Sequence, residues 1–149
     1  MRAIVPHLDL CTGCRMCEMV CSLHHEVVVN REWARIRVHR KGIDHNVPVI
    51  CNQGTSCNKE CAKVCPVECI RNLSGPALEV VREECTGCGE CIEACPFDAI
   101  HMRNDIAFKC DLCNGDPTCM KFCSLDAITY EEGIPEEFER ARDIAGVMK

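Results

Sequence analysis

The chain has 149 residues, which is enough for one domain or two very small ones. Its net charge of −6 argues against a nucleic-acid binder, because phosphate backbones require a basic surface. Only 4% of the residues are aromatic whereas 17 residues are cysteine, so cross-links or metals are needed to stabilise a core poor in large apolar side chains.

These cysteines are predicted to bind metal rather than to form disulfides. No run approaches the roughly 18 apolar residues of a membrane span, and the first residues lack a signal-peptide or twin-arginine pattern. We therefore expect a cytoplasmic protein without membrane insertion, in a compartment where thiols stay reduced. The odd cysteine count and the repeated two-residue spacings agree with this interpretation.

The first cysteine group has the spacing C-x2-C-x2-C-x3-C. It consists of Cys11, Cys14, Cys17 and Cys21. This spacing is typical of bacterial ferredoxins, in which three thiolates bind one [4Fe–4S] cube and the fourth binds a second cube. A short loop can wrap three corners of a cube but would be strained on reaching the fourth.

A strand is predicted between the first and second groups. Residues 33–38 alternate apolar and polar side chains, and the chain is expected to turn at Lys41-Gly42 so that residues 47–50 pair with them. The pair His24-His25, just before, has two interpretations: hydrogen-bonded surface histidines that close a helix, or a feature at a cluster edge.

The second cysteine group is irregular. It consists of Cys51, Cys57, Cys61 and Cys65. Gly54 stands where a C-x2-C pair would have its second cysteine, so Cys57 must serve after a wider loop. We expect a cubane here, and a tetrahedral zinc site is the alternative because four thiolates also suit Zn²⁺.

The third group repeats the spacing of the first and lies between two predicted hairpins. It consists of Cys85, Cys88, Cys91 and Cys95. Residues 70–72 and 78–81 form the first hairpin around Ser74-Gly75-Pro76, and residues 99–102 and 106–108 form the second. In each group the third cysteine is expected to begin a short helix.

The fourth group has a longer second loop and precedes a predicted C-terminal helix. It consists of Cys110, Cys113, Cys119 and Cys123. The helix is expected to begin at Pro135, with one side formed by Ile134, Phe138, Ala141 and Ala145. Glu136 and Arg140 have the spacing of an i,i+4 ion pair.

Cys69 is the seventeenth cysteine, and an internal repeat predicts its role. After the last cysteine of the second, third and fourth groups, Cys69, Ala99 and Ala127 occupy equivalent positions before an isoleucine. A free cysteine packs as a small apolar residue. Cys69 is therefore interpreted as packing, and the alternative is a ligand of the second group.

Chain order predicts an α+β fold of two nested bacterial-ferredoxin-like units with hairpins, short helices and little regular secondary structure. Residues 51–104 form the inner unit, and residues 1–50 and 105–149 form the outer unit. Each unit contains two cysteine groups, and the fourth cysteine of each group is expected to bind the cluster of the other group. This gives four [4Fe–4S] clusters. The predicted ligand sets are Cys11, Cys14, Cys17 and Cys123; Cys110, Cys113, Cys119 and Cys21; Cys85, Cys88, Cys91 and Cys65; and Cys51, Cys57, Cys61 and Cys95.

The whole pattern resembles the four-cluster ferredoxin subunits of molybdenum and tungsten enzymes. The segments CTGCRMCEMVCSLHHE from Cys11, NREWARIRV from Asn30 and KCDLC from Lys109 resemble the iron–sulfur subunits of aldehyde:ferredoxin oxidoreductase-type tungsten enzymes, including class II benzoyl-CoA reductase. They also resemble the ferredoxin-like partner of carbon monoxide dehydrogenase. Gly54 and Ser124 depart from the pattern of this family, where a C-x2-C pair and a proline are usual.

The resemblance implies a non-catalytic subunit in anaerobic metabolism that relays single electrons to or from a larger tungsten- or molybdenum-cofactor subunit. A further donor or acceptor protein completes the relay. No catalytic constellation stands out in the sequence. The alternative is a free-standing polyferredoxin that serves several redox enzymes.

Overall fold

Short elements joined by long cysteine-bearing loops make up residues 1–73 and 75–146, which are the residues that the computed structural model describes. The strands are β1 (Arg2–Pro6), β2 (Ile36–Lys41), β3 (His45–Ile50), β4 (Ile70–Arg71), β5 (Glu79–Val80), β6 (Ile100–Arg103), β7 (Ile106–Lys109) and β8 (Ile128–Glu132). The helices are α1 (Met16–Glu26), α2 (Glu60–Lys63), α3 (Glu90–Glu93), α4 (Thr118–Lys121) and α5 (Pro135–Ala145). The predicted α+β class with little regular secondary structure is confirmed.

The strands pair in four separate antiparallel ribbons. Three of them, β2–β3, β4–β5 and β6–β7, join neighbours along the chain, and all three hairpins were predicted. The predicted turn of the β4–β5 hairpin includes Ser74, which lies outside the described residues. The fourth ribbon joins β1 to β8, with Ile4 opposite Tyr130, and the sequence did not predict it. This ribbon places the first strand against the last strand, just before α5.

Strand β2 begins later than the alternating pattern predicts. Residues Arg31–Trp33 form a 3₁₀ turn, because the side chain of Asn30 accepts a hydrogen bond from the backbone N–H of Glu32 at 3.0 Å. From Ile36 the alternation holds, and Ile36 and Val38 are buried. The predicted turn follows at Gly42, whose φ of +63° suits glycine.

A helix begins at the third cysteine of each group, within one residue of the prediction. Each begins one residue before that cysteine, and α2, α3 and α4 have only four residues. α1 is longer, with 11 residues. Within the part of the chain that the structure describes, no helix is long and apolar enough to span a membrane.

Helix α5 covers β3 and β1 through the apolar face that the sequence predicts. Phe138, Ala141 and Ala145 are buried, whereas Ile134 lies at the margin and is 38% exposed. Arg140 does not pair with Glu136, the partner that the sequence predicts. Its guanidinium binds the Asp9 carboxylate at 2.9 Å, and the carboxylate of Glu137 lies 4.0 Å away. Arg140 therefore ties α5 to the N-terminal segment rather than to its own helix.

The internal repeat predicted after three of the groups is confirmed. Ile70, Ile100 and Ile128 are all buried, as are Cys69, Ala99 and Ala127 just before them. Glu68, Asp98 and Asp126, one position earlier, all have φ near +50°. The same turn therefore leads out of each cysteine group and starts the next strand.

Candidate functional site

One cavity is lined by cysteines of the second and third groups. Cys51 follows β3, Cys57 lies in the loop before α2, and Cys61 lies in α2. Cys95, from the turn after α3, lies in the same cavity. The arrangement brings together the four thiols predicted for one cluster, three from one group and the last from the next.

The reciprocal cavity is lined by Cys65 together with the first three thiols of the third group. Those three are Cys85, Cys88 and Cys91. Cys69 also reaches this cavity, with its Sγ 3.5 Å from the Sγ of Cys65. Cys69 therefore lies beside the thiols of this cavity, and its role as packing rather than as a ligand stays a prediction.

The outer part of the chain repeats this exchange. Cys11, Cys14 and Cys17 line a third cavity together with Cys123, which lies more than 100 residues further along the chain. In the fourth assembly α1 packs against α4, so Cys21 of α1 faces Cys119 of α4. Burial, together with neighbouring Cys110, Cys21 and Cys113, raises the pKa of Cys119 well above its ordinary value.

In these assemblies the charged thiolate form of cysteine is unfavourable unless a cation accompanies it. Burial raises the pKa of Cys17 and Cys61 to about 12 and that of Cys91 to about 11. Part of each rise comes from neighbouring cysteines, because thiolates repel one another. All 17 cysteines are free. Grouped thiols that repel one another as anions fit a polycationic iron–sulfur cluster, which removes both penalties at once.

Backbone N–H groups point at several of these sulfurs. Arg35 N–H donates to Cys21 Sγ at 3.3 Å, Ala127 N–H to Cys123 Sγ at 3.2 Å, and Ala99 N–H to Cys95 Sγ at 3.4 Å. The last two bonds come from the repeated turn after each group. Such donors stabilise negative charge on the ligand sulfur and are one of the means by which proteins tune cluster potentials.

The histidine pair closes α1, and its two members differ in environment. His24 lies near the surface, with Nδ1 3.1 Å from Thr118 Oγ1. His25 is not the surface residue that the first interpretation expects, because its Nε2 lies 3.7 Å from Cys113 Sγ and 3.6 Å from the Asp111 carboxylate. Burial, reinforced by the charge of Arg35, lowers the pKa of His25 to about 4.

Two buried polar side chains near the thiols were missed by the sequence analysis. Lys109 and Gln53 are 2% and 1% exposed, and both contact the backbone carbonyl of Cys110. Periodicity could not reveal them, because a lysine at the end of a strand is usually solvated. The one available signal was the position of Lys109 directly before a ligand cysteine.

Comparison with known proteins agrees with this chemistry. Residues 54–106 match the LdpA Fe–S cluster-binding domain, and residues 8–26 match a 4Fe-4S binding domain. The polyferredoxin-like subunit of the aliphatic sulfonate oxidoreductase of Pyrococcus furiosus is 38% identical over 118 residues, covering 77% of this chain and 67% of that protein. The electron transport protein HydN of Escherichia coli is 32% identical over 155 residues, covering 85% of this chain and 86% of that protein.

The other similarities extend over most of the chain. An uncharacterized ferredoxin of Methanocaldococcus jannaschii is 34% identical over 152 residues, covering 99% of this chain and 85% of that protein. The fold is similar to a chain of the active-site complex BamBC of benzoyl coenzyme A reductase, with a TM-score of 0.52, 23% identity, and coverage of 88% of this chain and 79% of that one. With relatives of this identity and coverage, the chain belongs to the family of ferredoxin-type, polyferredoxin-like iron–sulfur electron-transfer proteins.

Proposed function

We propose that this electron-transfer protein carries four [4Fe–4S] clusters and serves as a subunit of a larger oxidoreductase. The observation that carries the proposal is the gathering of sixteen thiols into four assemblies, each with three cysteines of one group and the last cysteine of another. When bound, each cluster accepts and releases one electron at a time. The role of the polypeptide is to hold, order and shield these sites.

The ligand sets follow the four assemblies. Site one takes Cys11, Cys14, Cys17 and Cys123; site two takes Cys51, Cys57, Cys61 and Cys95; site three takes Cys65, Cys85, Cys88 and Cys91; and site four takes Cys21, Cys110, Cys113 and Cys119. Zinc in place of iron at site two is the alternative, because the second group is the one that lacks an opening C-x2-C pair.

The sites are proposed to lie in the order one, four, two, three. Cys17 of site one is an electrostatic neighbour of Cys119 of site four, and Cys110 of site four is a neighbour of Cys51 of site two. Helix α2 of site two packs on α3 of site three. This order joins an outer unit, residues 1–50 and 105–149, to an inner unit, residues 51–104, and the β1–β8 ribbon supports the division by closing the outer unit.

Exposure of the cysteines supports a relay with electrons entering and leaving at its ends. Cys14 of site one and Cys88 of site three are exposed, whereas sites two and four contain no exposed cysteine. A redox partner that docks beside either end would approach a cluster closely, and the two middle sites are shielded from water and from nonspecific reductants.

We infer that the partner is a larger catalytic subunit with a tungsten or molybdenum cofactor, and that the complex operates in the cytoplasm. The Pyrococcus relative, named as a subunit of an oxidoreductase, supports a fixed partner. HydN is named only as an electron transport protein, which favours the second candidate, a free polyferredoxin.

Metal analysis and native mass test the two parts of this proposal separately. After purification without oxygen we expect about sixteen irons and as many acid-labile sulfides per chain. About twelve irons with one zinc would contradict four clusters and assign zinc to site two.

Size exclusion of a native extract should give a mass far above 16.7 kDa, in fractions that also contain tungsten or molybdenum. Migration near 16.7 kDa would instead establish the free carrier.

A further inference from the structure

Lys109 is a buried cation without a carboxylate partner among the described residues. It ends β7 and is 2% exposed. Its ammonium donates to the carbonyl oxygen of Leu78 at 2.7 Å, to that of Cys110 at 3.0 Å and to Gln53 Oε1 at 3.3 Å. All three acceptors are neutral. Neutral acceptors solvate a buried ammonium without balancing its charge, so negative charge is needed from another group.

The surrounding thiolates supply that charge. The thiols that lie electrostatically nearest to the Lys109 ammonium are those of Cys51, Cys110 and Cys61, and Cys51 is also a side-chain hydrogen-bond partner. Two of these cysteines, Cys51 and Cys61, belong to site two, and Cys110 belongs to site four. The ammonium therefore lies at the junction between the inner and the outer unit.

Gln53 fixes the ammonium in this position. Its side chain is 1% exposed, its Nε2 donates to the Cys110 carbonyl at 2.7 Å, and its Oε1 accepts from both Lys109 and the backbone N–H of Leu78. Its backbone has a φ of +56°, a conformation that side-chain-bearing residues rarely adopt. These three side-chain hydrogen bonds, on a backbone in an unfavourable conformation, hold Gln53 and the ammonium beside it in one position.

We propose that Lys109 is a fixed internal counter-ion for the two middle iron–sulfur sites and that it raises their reduction potentials relative to the two end sites. This inference rests on the proposed function, because it needs clusters at sites two and four. A reduced cluster carries one more negative charge than an oxidised one, so a nearby buried cation stabilises the reduced form. The low dielectric of the interior makes this interaction stronger than that of a surface charge.

The functional consequence concerns electrons that cross between the two units. With higher potentials at sites two and four, an electron that enters at either end meets a favourable step towards the junction. Without the ammonium, two adjacent anionic clusters would repel each other and also any electron added to either of them. Lys109 is thus a positioning residue for charge, and it takes no part in ligation.

The test is a reductive titration of the full-length, cluster-loaded protein followed by EPR, comparing the wild type with the Lys109→Met variant. We expect the one-electron equilibrium constants of two clusters to fall at least about tenfold, which corresponds to about 59 mV for one electron. The other two clusters should change far less. Iron and sulfide content should equal that of the wild type.

Lys63→Met is the matched control. Lys63 follows Cys61 in α2, but its side chain is 58% exposed and pairs with Glu60 at 2.8 Å. The same charge change there is screened by water, so we expect little shift in any potential.

Gln53→Glu keeps Lys109 and places a carboxylate beside it, so the potentials of the same two clusters should fall. This variant decides the question if Lys109→Met does not load its clusters. Wild-type potentials in the loaded variants would overturn the role of Lys109 and leave the four clusters intact. A wild-type protein without labile sulfide would instead overturn the proposed function itself.

Discussion

Cys69 occupies the position that alanine fills in the two other repeats, where Ala99 and Ala127 are buried against the following isoleucine. Its thiol is 2% exposed and contacts Cys65, so it lies beside a predicted ligand without being needed in a set of four. We therefore predict that Cys69 packs and does not bind iron.

The Cys69→Ala variant is expected to keep the full iron content. Alanine already fits the equivalent position twice, and the loss of one buried sulfur should reduce the free energy of unfolding by about 1 kcal/mol. Cys65→Ala is the matched comparison and should lose iron from site three. Iron analysis of both variants gives the answer, and a Cys69→Ala protein as depleted as Cys65→Ala would show that Cys69 is a ligand.

Gly87 is required by both its conformation and its surroundings. Its φ is +70°, and a Cβ there would lie 2.5 Å from the backbone oxygen of Asp105. Gly42 has a similar φ of +63° but open space around it. The loop of the third cysteine group therefore lies directly against the β6–β7 turn.

The Gly87→Ala variant should be much less stable than Gly42→Ala. We expect a loss of about 1 kcal/mol for Gly42→Ala from conformation alone, and about 2–4 kcal/mol for Gly87→Ala, where a backbone clash is added. The stability of both variants is measured by the guanidinium concentration at which the iron–sulfur absorbance is lost. Equal resistance of the two proteins to the denaturant would contradict the proposed contact.

Lys109 and His25 mark the limit of sequence reasoning at this scale. Their burial depends on residues that are distant in sequence: Gln53 and Leu78 for Lys109, and Asp111 and Cys113 for His25. The candidate ligand cysteines were recognisable because cluster geometry fixes their spacing locally. No local pattern distinguishes a buried lysine or histidine from a solvated one.

Among the elements, α1 and β2 are joined by one buried carboxylate. Glu18 of α1 is fully buried and accepts a hydrogen bond from the backbone N–H of Val38 at 2.7 Å, while Arg31 pairs with the same carboxylate. Val38 lies opposite Pro48, which has no N–H of its own to contribute to the ribbon. Glu18 therefore fixes the helix that carries Cys17 and Cys21 against the β2–β3 ribbon.

The Glu18→Ala variant is expected to lose about 3 kcal/mol of stability, because it leaves a buried N–H without an acceptor and Arg31 without its partner. Glu139→Ala, on the exposed side of α5, is the control and should change stability by less than about 0.5 kcal/mol. Thermal denaturation followed by circular dichroism distinguishes them. Similar melting temperatures for both variants would show that Glu18 does not hold α1 in place.

The elements also show which parts of the fold a sequence can predict. The three hairpins were recognisable because each lies within a short stretch with alternating residues and a turn, as in residues 99–108. The β1–β8 ribbon was not, because Arg2–Pro6 and Ile128–Glu132 are short and lie at opposite ends of the chain. Strand pairing over such a separation depends on the packing of α5 and the outer sites rather than on a local signal.

At the scale of the whole molecule, metal sites take the place of an extended apolar core. The buried side chains are mostly isoleucine, valine, alanine and cysteine, and the cysteines gather into the four assemblies. In the proposed ligand sets, exchange of the last cysteine of each group joins distant segments, as with Cys11 and Cys123, which line one cavity. A fold of this kind should be stable only when its clusters are present.

The most direct test is anomalous diffraction at the iron absorption edge from crystals of anaerobically purified protein. The account predicts four iron sites, with Cys123 beside Cys11 at one of them and Cys21 beside Cys119 at another. Fewer than four iron sites, or Cys21 bound to the same cluster as Cys11, would contradict it.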